Sequence, residues 1–402
     1  MSAFEFEIRR RRRTGALQVV AASDFKLRRC GAVDARELLQ RPNVSLYCVD
    51  EPAKQALFVE TPPGLDLLQG SFLFLEQYRN ARRVFGVSYE TLQQIGDERG
   101  EWWNDLSLIY SVGRCGSTLV SRMFGRLPEC LSLSEPDVFT QLVGLGLTDE
   151  EIVQRLRMCT RCVILPGQSK SHLVIKYRSM GIEHAALMSR AFPAAKLLFL
   201  YRHVESFIVS AMRAFAYRGS PLWGFSLMYR WPILKSILRW YFAKNYEEQV
   251  RFAPFARQFT PSEMVDLGPV GTLTMTWLSA MQRCLALQGA SVPLLALRYE
   301  DLLASPSDVS REIMKYCHVP EEKIPQTLDA MSEDAQRDSI LARRKHRKWQ
   351  MTDESRQTIE QVLARHETIR TADYQLPNTL RVFPRLHGAD SAGDKARHRS
   401  AG

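Results

Sequence analysis

Apolar residues first gather, between about Leu17 and Gln94, into short runs of strand length. Val44–Val49, a turn over Asp50–Lys54 and Ala56–Glu60 predict a hairpin, and Phe72–Arg83 has helical spacing. Together they predict a small α+β N-terminal module over residues 1–103. From Leu106 onward, apolar runs at Leu106–Ser111, Leu173–Lys176, Lys196–Tyr201 and Leu294–Tyr299 alternate with segments of helical period. That alternation predicts an α/β domain over residues 104–380: a central, mostly parallel sheet between two layers of helices, a three-layer P-loop-type fold. Ligands of such sheets bind beyond the carboxyl ends of the strands. Residues 387–402 are small and polar and predict a disordered tail.

The first strand of the larger domain runs straight into Val112-Gly113-Arg114-Cys115-Gly116-Ser117-Thr118 and then into a helical segment. Glycines let the backbone approach an anion closely, the first amides of a helix have no partner of their own, and the helix dipole favours negative charge there. Arg114 adds a permanent charge, and Ser117 and Thr118 add hydroxyl donors. The loop is not a Walker A sequence, because Gly116 stands where that motif carries its lysine, and this disfavours a nucleotide kinase. A tight strand-to-helix turn without a ligand is the plain structural alternative. After Lys196–Tyr201, Arg202 ends the strand, and Ser206 and Ser210 share one face of the next helix, which makes a second place for an anionic group.

Charge sharpens this picture. The 402 residues hold 54 Lys and Arg against 44 Asp and Glu, a formal charge of +10 that favours an anionic partner. Two basic runs, Arg9–Arg13 and Arg343–Lys348, would carry any nucleic-acid binding, but such blocks usually stay solvated and that partner is disfavoured. The N-terminus has acidic residues and no uninterrupted apolar core before its arginines, so no secretory signal is expected there. The most apolar stretch, Trp223–Phe242, is broken by Arg230, Pro232, Lys235 and Arg239, so no membrane span is expected and a cytoplasmic location is. The eight cysteines then read as unpaired thiols. Cys159-Thr-Arg-Cys162 has no second pair, and no metal is expected. The aromatic and basic segment Tyr217–Phe255 reads as a helical insertion packed on the core, with an acceptor wall or lid as the sharper alternative.

Two arginine-bearing turns on one α/β sheet resemble the sulfotransferase superfamily, which uses 3′-phosphoadenosine 5′-phosphosulfate (PAPS). Three stretches carry the resemblance: Ser111–Leu119, Phe192–Arg202 with Ser210 eight residues later, and Leu297–Pro306 with its Tyr-Glu-Asp-Leu sequence. The chain departs from the cytosolic aryl and steroid type, which has a lysine where Arg114 stands, an aspartate common at position 203 and a C-terminal Arg-Lys-Gly loop absent here. The arginine form of the loop points toward the carbohydrate-type branches.

The resemblance implies an enzyme that moves a sulfuryl group from PAPS to a hydroxyl or amine of a small-molecule or glycan acceptor. It implies that Gly113, Arg114, Cys115, Gly116, Ser117 and Thr118 hold the 5′-phosphosulfate, that Arg202 and Ser210 read the 3′-phosphate, and that Arg343 closes over the cofactor. Arg114, Glu135 and Lys176 are the catalytic candidates: leaving-group stabiliser, base and sulfonate stabiliser. Glu135 has a competing structural reading, as a cap or as the partner of a neighbouring arginine, and Lys176 has one as half of an ion pair. His172, His184 and His203 are secondary candidates for the base. A non-catalytic nucleotide-binding scaffold is the alternative, with a nucleotide kinase behind it. Acceptor identity and oligomeric state are not specified by these residues.

Overall fold

The computed structural model describes residues 1–70, 72–163, 170–216, 220–332 and 348–381. Its first sheet is antiparallel and built from β1 (Ser2–Arg11), β2 (Phe25–Asp34), β3 (Val44–Asp50), β4 (Gln55–Glu60) and β5 (Arg83–Ser88), in the order β2-β1-β5-β4-β3. The β3–β4 hairpin is the predicted one, while β1, β2 and β5 were not expected. Along β1 the apolar Phe4, Phe6 and Ile8 alternate with Glu5 and Glu7, a strand pattern that the arginine run obscures. The helix predicted over Phe72–Arg83 spans Leu73–Asn80, because the chain must extend again to enter β5. The arginine run is not a uniformly solvated block. Arg9 to Arg12 are exposed, but the side chain of Arg13 is buried, paired with Asp24 at 2.8 Å and bonded to Tyr47 at 3.3 Å. An arginine goes inside only where its charge finds such partners.

The second sheet is parallel throughout: β6 (Asp105–Ser111), β7 (Cys130–Ser134), β8 (His172–Lys176), β9 (Lys196–Tyr201) and β10 (Leu294–Arg298), in the order β7-β8-β6-β9-β10. Helices flank it, among them Ser117–Gly125, Asp149–Cys162, Val204–Phe215 and Gly268–Gly289. Strand β7 is the one the sequence concealed, its Cys-Leu-Ser-Leu-Ser alternation being too short to stand out from the preceding helix. Glu135 therefore follows a strand directly, not the first helix of the domain. Tyr299 was expected to end β10 and instead begins the helix Tyr299–Ala304.

Strand β6 lies in the middle, and consecutive connections leave toward β7 and β8 on one side and toward β9 and β10 on the other. Such a reversal opens a crevice at the carboxyl ends of the central strands. The central strands are buried along nearly their whole length, with apolar residues through most of it, as strands covered on both faces must be. Their core continues to the antiparallel sheet and the helices beside it, where Phe58 of β4 and the helical Leu38 and Ile95 join the cluster that holds Leu108, Ile175 and Leu198. Polar ties reinforce this junction. Gln141 exchanges two 2.8 Å hydrogen bonds with the backbone of Val49, and Arg155 bonds Glu51 at 3.1 Å. All eight cysteines are unpaired thiols.

Candidate functional site

Beyond the carboxyl end of β6 the chain makes a sharp loop in which Gly113, Arg114 and Gly116 all have left-handed backbone, with φ of 86°, 55° and 82°. Two glycines adopt this conformation without a steric penalty, but Arg114 does not, so neighbouring groups must hold it. Arg202 supplies the hold. Its Nη1 donates to the main-chain carbonyl of Arg114 at 2.8 Å, and its guanidinium lies over the Tyr299 ring at 4.7 Å. Tyr299 also explains Gly116: a Cβ there would sit 2.9 Å from Tyr299 Cδ2. The helix Ser117–Gly125 starts at Gly116 with no side chain capping it, so its amino end faces the loop with backbone donors and the positive end of its dipole.

Strand register brings the second arginine turn beside the first. Ser111 pairs with Leu200, and the amide of Val112 donates to the Leu200 carbonyl at 3.0 Å, so the chain leaves β6 and β9 at the same level. Arg114 reaches across this gap, its Nε donating to Ser210 Oγ at 3.2 Å. Arg114, Arg202 and Ser210 thus form one continuous polar group rather than two separate sites. The amino end of the helix Val204–Phe215 is partly taken, because Glu300 accepts from the amide of His203 at 3.1 Å. Ser206 lies in its first turn and Ser210 a turn further on.

Cys115 is enclosed beneath the loop, its thiol donating to the Leu200 carbonyl at 3.2 Å. Burial pushes this thiol up to about 11, against the lowering influence of Ser111, Arg202 and Lys176, and keeps it neutral. Only its backbone can face a ligand. Ser117 and Thr118 are buried at the start of the helix, and the Ser111 hydroxyl donates to Ser117 Oγ at 3.3 Å.

Glu135 and Lys176 meet on the other side of β6. Both are buried, their side chains form an ion pair, and the amide of Glu135 donates to the Lys176 carbonyl at 2.8 Å. Glu135 has φ of 58°, an unusual conformation for a residue with a side chain, and it directly follows Ser134, the last residue of β7, which pairs with Lys176 on β8. Its partner is the other candidate, Lys176, and not an arginine. Two residues on, fully enclosed Asp137 bonds Arg178 at 3.0 Å and accepts from the amide of Val20 at 2.9 Å. That contact draws the segment between β1 and β2 up to the edge of the site.

The histidines separate clearly. His172 starts β8 at the opposite, amino edge of the sheet, is bonded to Ser107 at 2.9 Å, and is held below its ordinary pKa by burial, so it is removed from the base candidates. His184 is part-buried with its Nε2 enclosed, and burial depresses it to about 4. His203 alone stands at the carboxyl edge. Arg343 lies outside the described residues.

Sequence reading missed the roles of Tyr299, Glu300, Asp137 and Arg178. Tyr299 was legible as part of Tyr-Glu-Asp-Leu, but only the β9–β10 register, Tyr201 against Arg298, puts it beside Arg202. A cavity of about 450 Å³ adjoins the site without including the loop. It lies between Met212, two residues beyond Ser210, and Trp223, Tyr229, Arg230, Leu267 and Trp349.

No family model and no curated protein matches the chain. Among solved structures it is similar to the sulfotransferase domain from the curacin biosynthetic pathway, with 15% identity and a TM-score of 0.32 over 68% of this chain and 99% of that one. It is also similar to the sulfotransferase domain from the Synechococcus PCC 7002 olefin synthase, with 17% identity and a TM-score of 0.32 over 68% and 96% of the two chains. A third is sulfotransferase STF1 from Mycobacterium tuberculosis H37Rv, with 14% identity and a TM-score of 0.34 over 60% and 76%. The functional reading rests on the geometry of the site itself.

Proposed function

We propose that the chain is a PAPS-dependent sulfotransferase acting on an acceptor hydroxyl or amine. The observation that carries this reading is the linked group of Arg114, Arg202 and Ser210 at the mouth of a glycine loop that lacks the Walker lysine. A donor set of two arginines, backbone amides and hydroxyls suits a nucleotide with anionic groups at two positions. The Nε of Arg202 supports the fit: it is buried and has no hydrogen-bond partner among the described residues, and an anion would satisfy it.

PAPS supplies an activated sulfuryl group, and its transfer forms an acceptor O–S or N–S bond as the S–O bond to the departing nucleotide breaks. The residues of the chain then act mainly by positioning and charge. Arg114 and the amides at the start of Ser117–Gly125 would hold the 5′ end and offset charge on the departing phosphate. Arg202 and Ser210 would read the 3′-phosphate. Glu135 would take the acceptor proton, which requires Lys176 to release it. Lys176, once freed, can turn to the transferring sulfuryl oxygens, so the pair would exchange partners during turnover.

Calorimetry with adenosine 3′,5′-bisphosphate and with ADP tests the pocket, and transfer of labelled sulfate from PAPS onto pooled phenols, glycans, lipids and metabolites tests the reaction. The reading predicts tighter binding of the 3′,5′-bisphosphate and a labelled product. Equal affinity for both nucleotides would overturn it, and selective binding without any product would favour a non-catalytic scaffold.

A further inference from the structure

The insertion after the helix Val204–Phe215 has an exposed surface that packing does not explain. Six of the eight large apolar side chains exposed among the described residues fall within residues 227–241. In the helix Pro232–Lys244, Ile233, Ile237, Trp240 and Tyr241 recur at helical spacing on the solvent side, Ile233 being 81% and Trp240 63% exposed. Leu238 and Phe242 of the same helix are buried on the other side. A helix that is apolar on both faces is normally enclosed on both. Trp231, 61% exposed, extends the patch at the start of this helix.

Charge indicates what covers it. Residues 221–244 contain Arg230, Lys235, Arg239 and Lys244 and no acidic residue. Asp266, from a neighbouring helix, bonds Arg239 at 2.9 Å and lies 3.5 Å from Lys235. Asp266 holds Lys235 and Arg239 to its own side, whereas Lys244, its ammonium 5.3 Å from the Trp240 ring centroid, and exposed Arg230 flank the apolar patch, and a second copy seated face to face would bring these two bases against themselves. An anionic bilayer would take the apolar side chains and complement the bases together, and tryptophan and tyrosine beside lysine and arginine suit the headgroup boundary. No helix among the described residues is long and apolar enough to cross a membrane, so this one would lie along the surface.

We infer that the exposed face of Pro232–Lys244 docks the protein on an anionic lipid surface. This docking needs no nucleotide and stands whether or not the chain transfers sulfuryl groups. The cavity beside Met212 and Trp223 borders the same insertion, so the docked face and the candidate site are neighbours.

The full chain is mixed with vesicles of phosphatidylcholine, with or without phosphatidylserine, and sedimented. The expected result is binding to the phosphatidylserine vesicles that weakens with salt and falls by about tenfold or more in the Ile233→Ser/Ile237→Ser variant. Both positions are exposed, so circular dichroism and melting should match the parent. Brominated lipid chains should quench tryptophan fluorescence less in a Trp231→Phe/Trp240→Phe variant. Failure to sediment with either vesicle overturns the inference, as does binding that the serine variant leaves unchanged. So does a dimer, seen by light scattering, that the same substitutions dissociate while vesicle binding is absent.

Discussion

The Nη1 of Arg202 donates to the backbone carbonyl of Arg114 at 2.8 Å, so a residue at the end of one strand holds the strained turn that follows its neighbour. Arg114 can keep φ at 55° because its carbonyl is fixed in this way, and its side chain then reaches Ser210. These two contacts join the turns that follow β6 and β9.

Arg202→Ala should therefore do more than remove a charge. Loss of a charged hydrogen bond at a partly buried site is worth about 1.5 to 3 kcal/mol, so affinity for adenosine 3′,5′-bisphosphate should fall more than tenfold while ADP binding falls less. Arg202→Lys should rescue little, because lysine cannot both reach the carbonyl and stack on Tyr299 as a plane. Calorimetry on the three proteins checks both statements.

Gly116→Ala should destabilise the loop by about 1 to 3 kcal/mol through its left-handed backbone. The contact with Tyr299, 2.9 Å from the new Cβ, adds to this. Tyr299→Ala in the same chain should relieve the contact but not the backbone strain. Denaturant melts of the two variants separate the contributions.

For the Glu135–Lys176 pair, removing one partner leaves a buried charge alone, at a cost of about 3 to 5 kcal/mol. Lys176→Met should thus be strongly destabilising, and adding Glu135→Gln should recover much of the loss. If Glu135 is the base, Glu135→Gln depresses sulfate transfer and leaves nucleotide affinity intact; unchanged turnover would remove it from that role. A double-variant melt and a transfer assay give both readings.

The Glu51–Arg155 tie predicts a pH dependence. Burial alone would raise the pKa of Glu51, but hydrogen bonds from Arg155, Lys54 and Tyr89 outweigh it and lower the value to about 2. A folded pKa below the unfolded one, ordinarily about 4.3, means that the stabilisation is complete above the unfolded value and is lost as pH falls through the folded one. Glu51→Gln should lower the melting temperature at neutral pH, and the gap from the parent should narrow from about pH 5 downward. A constant gap across that window would exclude the mechanism.

By itself the sequence determined the local pieces. The run Leu106–Ser111, its glycine turn and the helix beyond follow from hydrophobic period and backbone freedom, which act between near neighbours, and so do Lys196–Tyr201 with Arg202. Strands β1 and β7 escaped because an arginine run and a short Ser-Leu alternation hide their period until a neighbouring strand pairs with them. The tertiary structure alone decided which side chains meet. Sheet order and register set Tyr299 under Arg202, Glu135 against Lys176 and Asp137 against Val20, and they moved His172 to the far edge. The physical reason is that side-chain partnership depends on the spacing of strands that are far apart in the chain, and no local pattern encodes it.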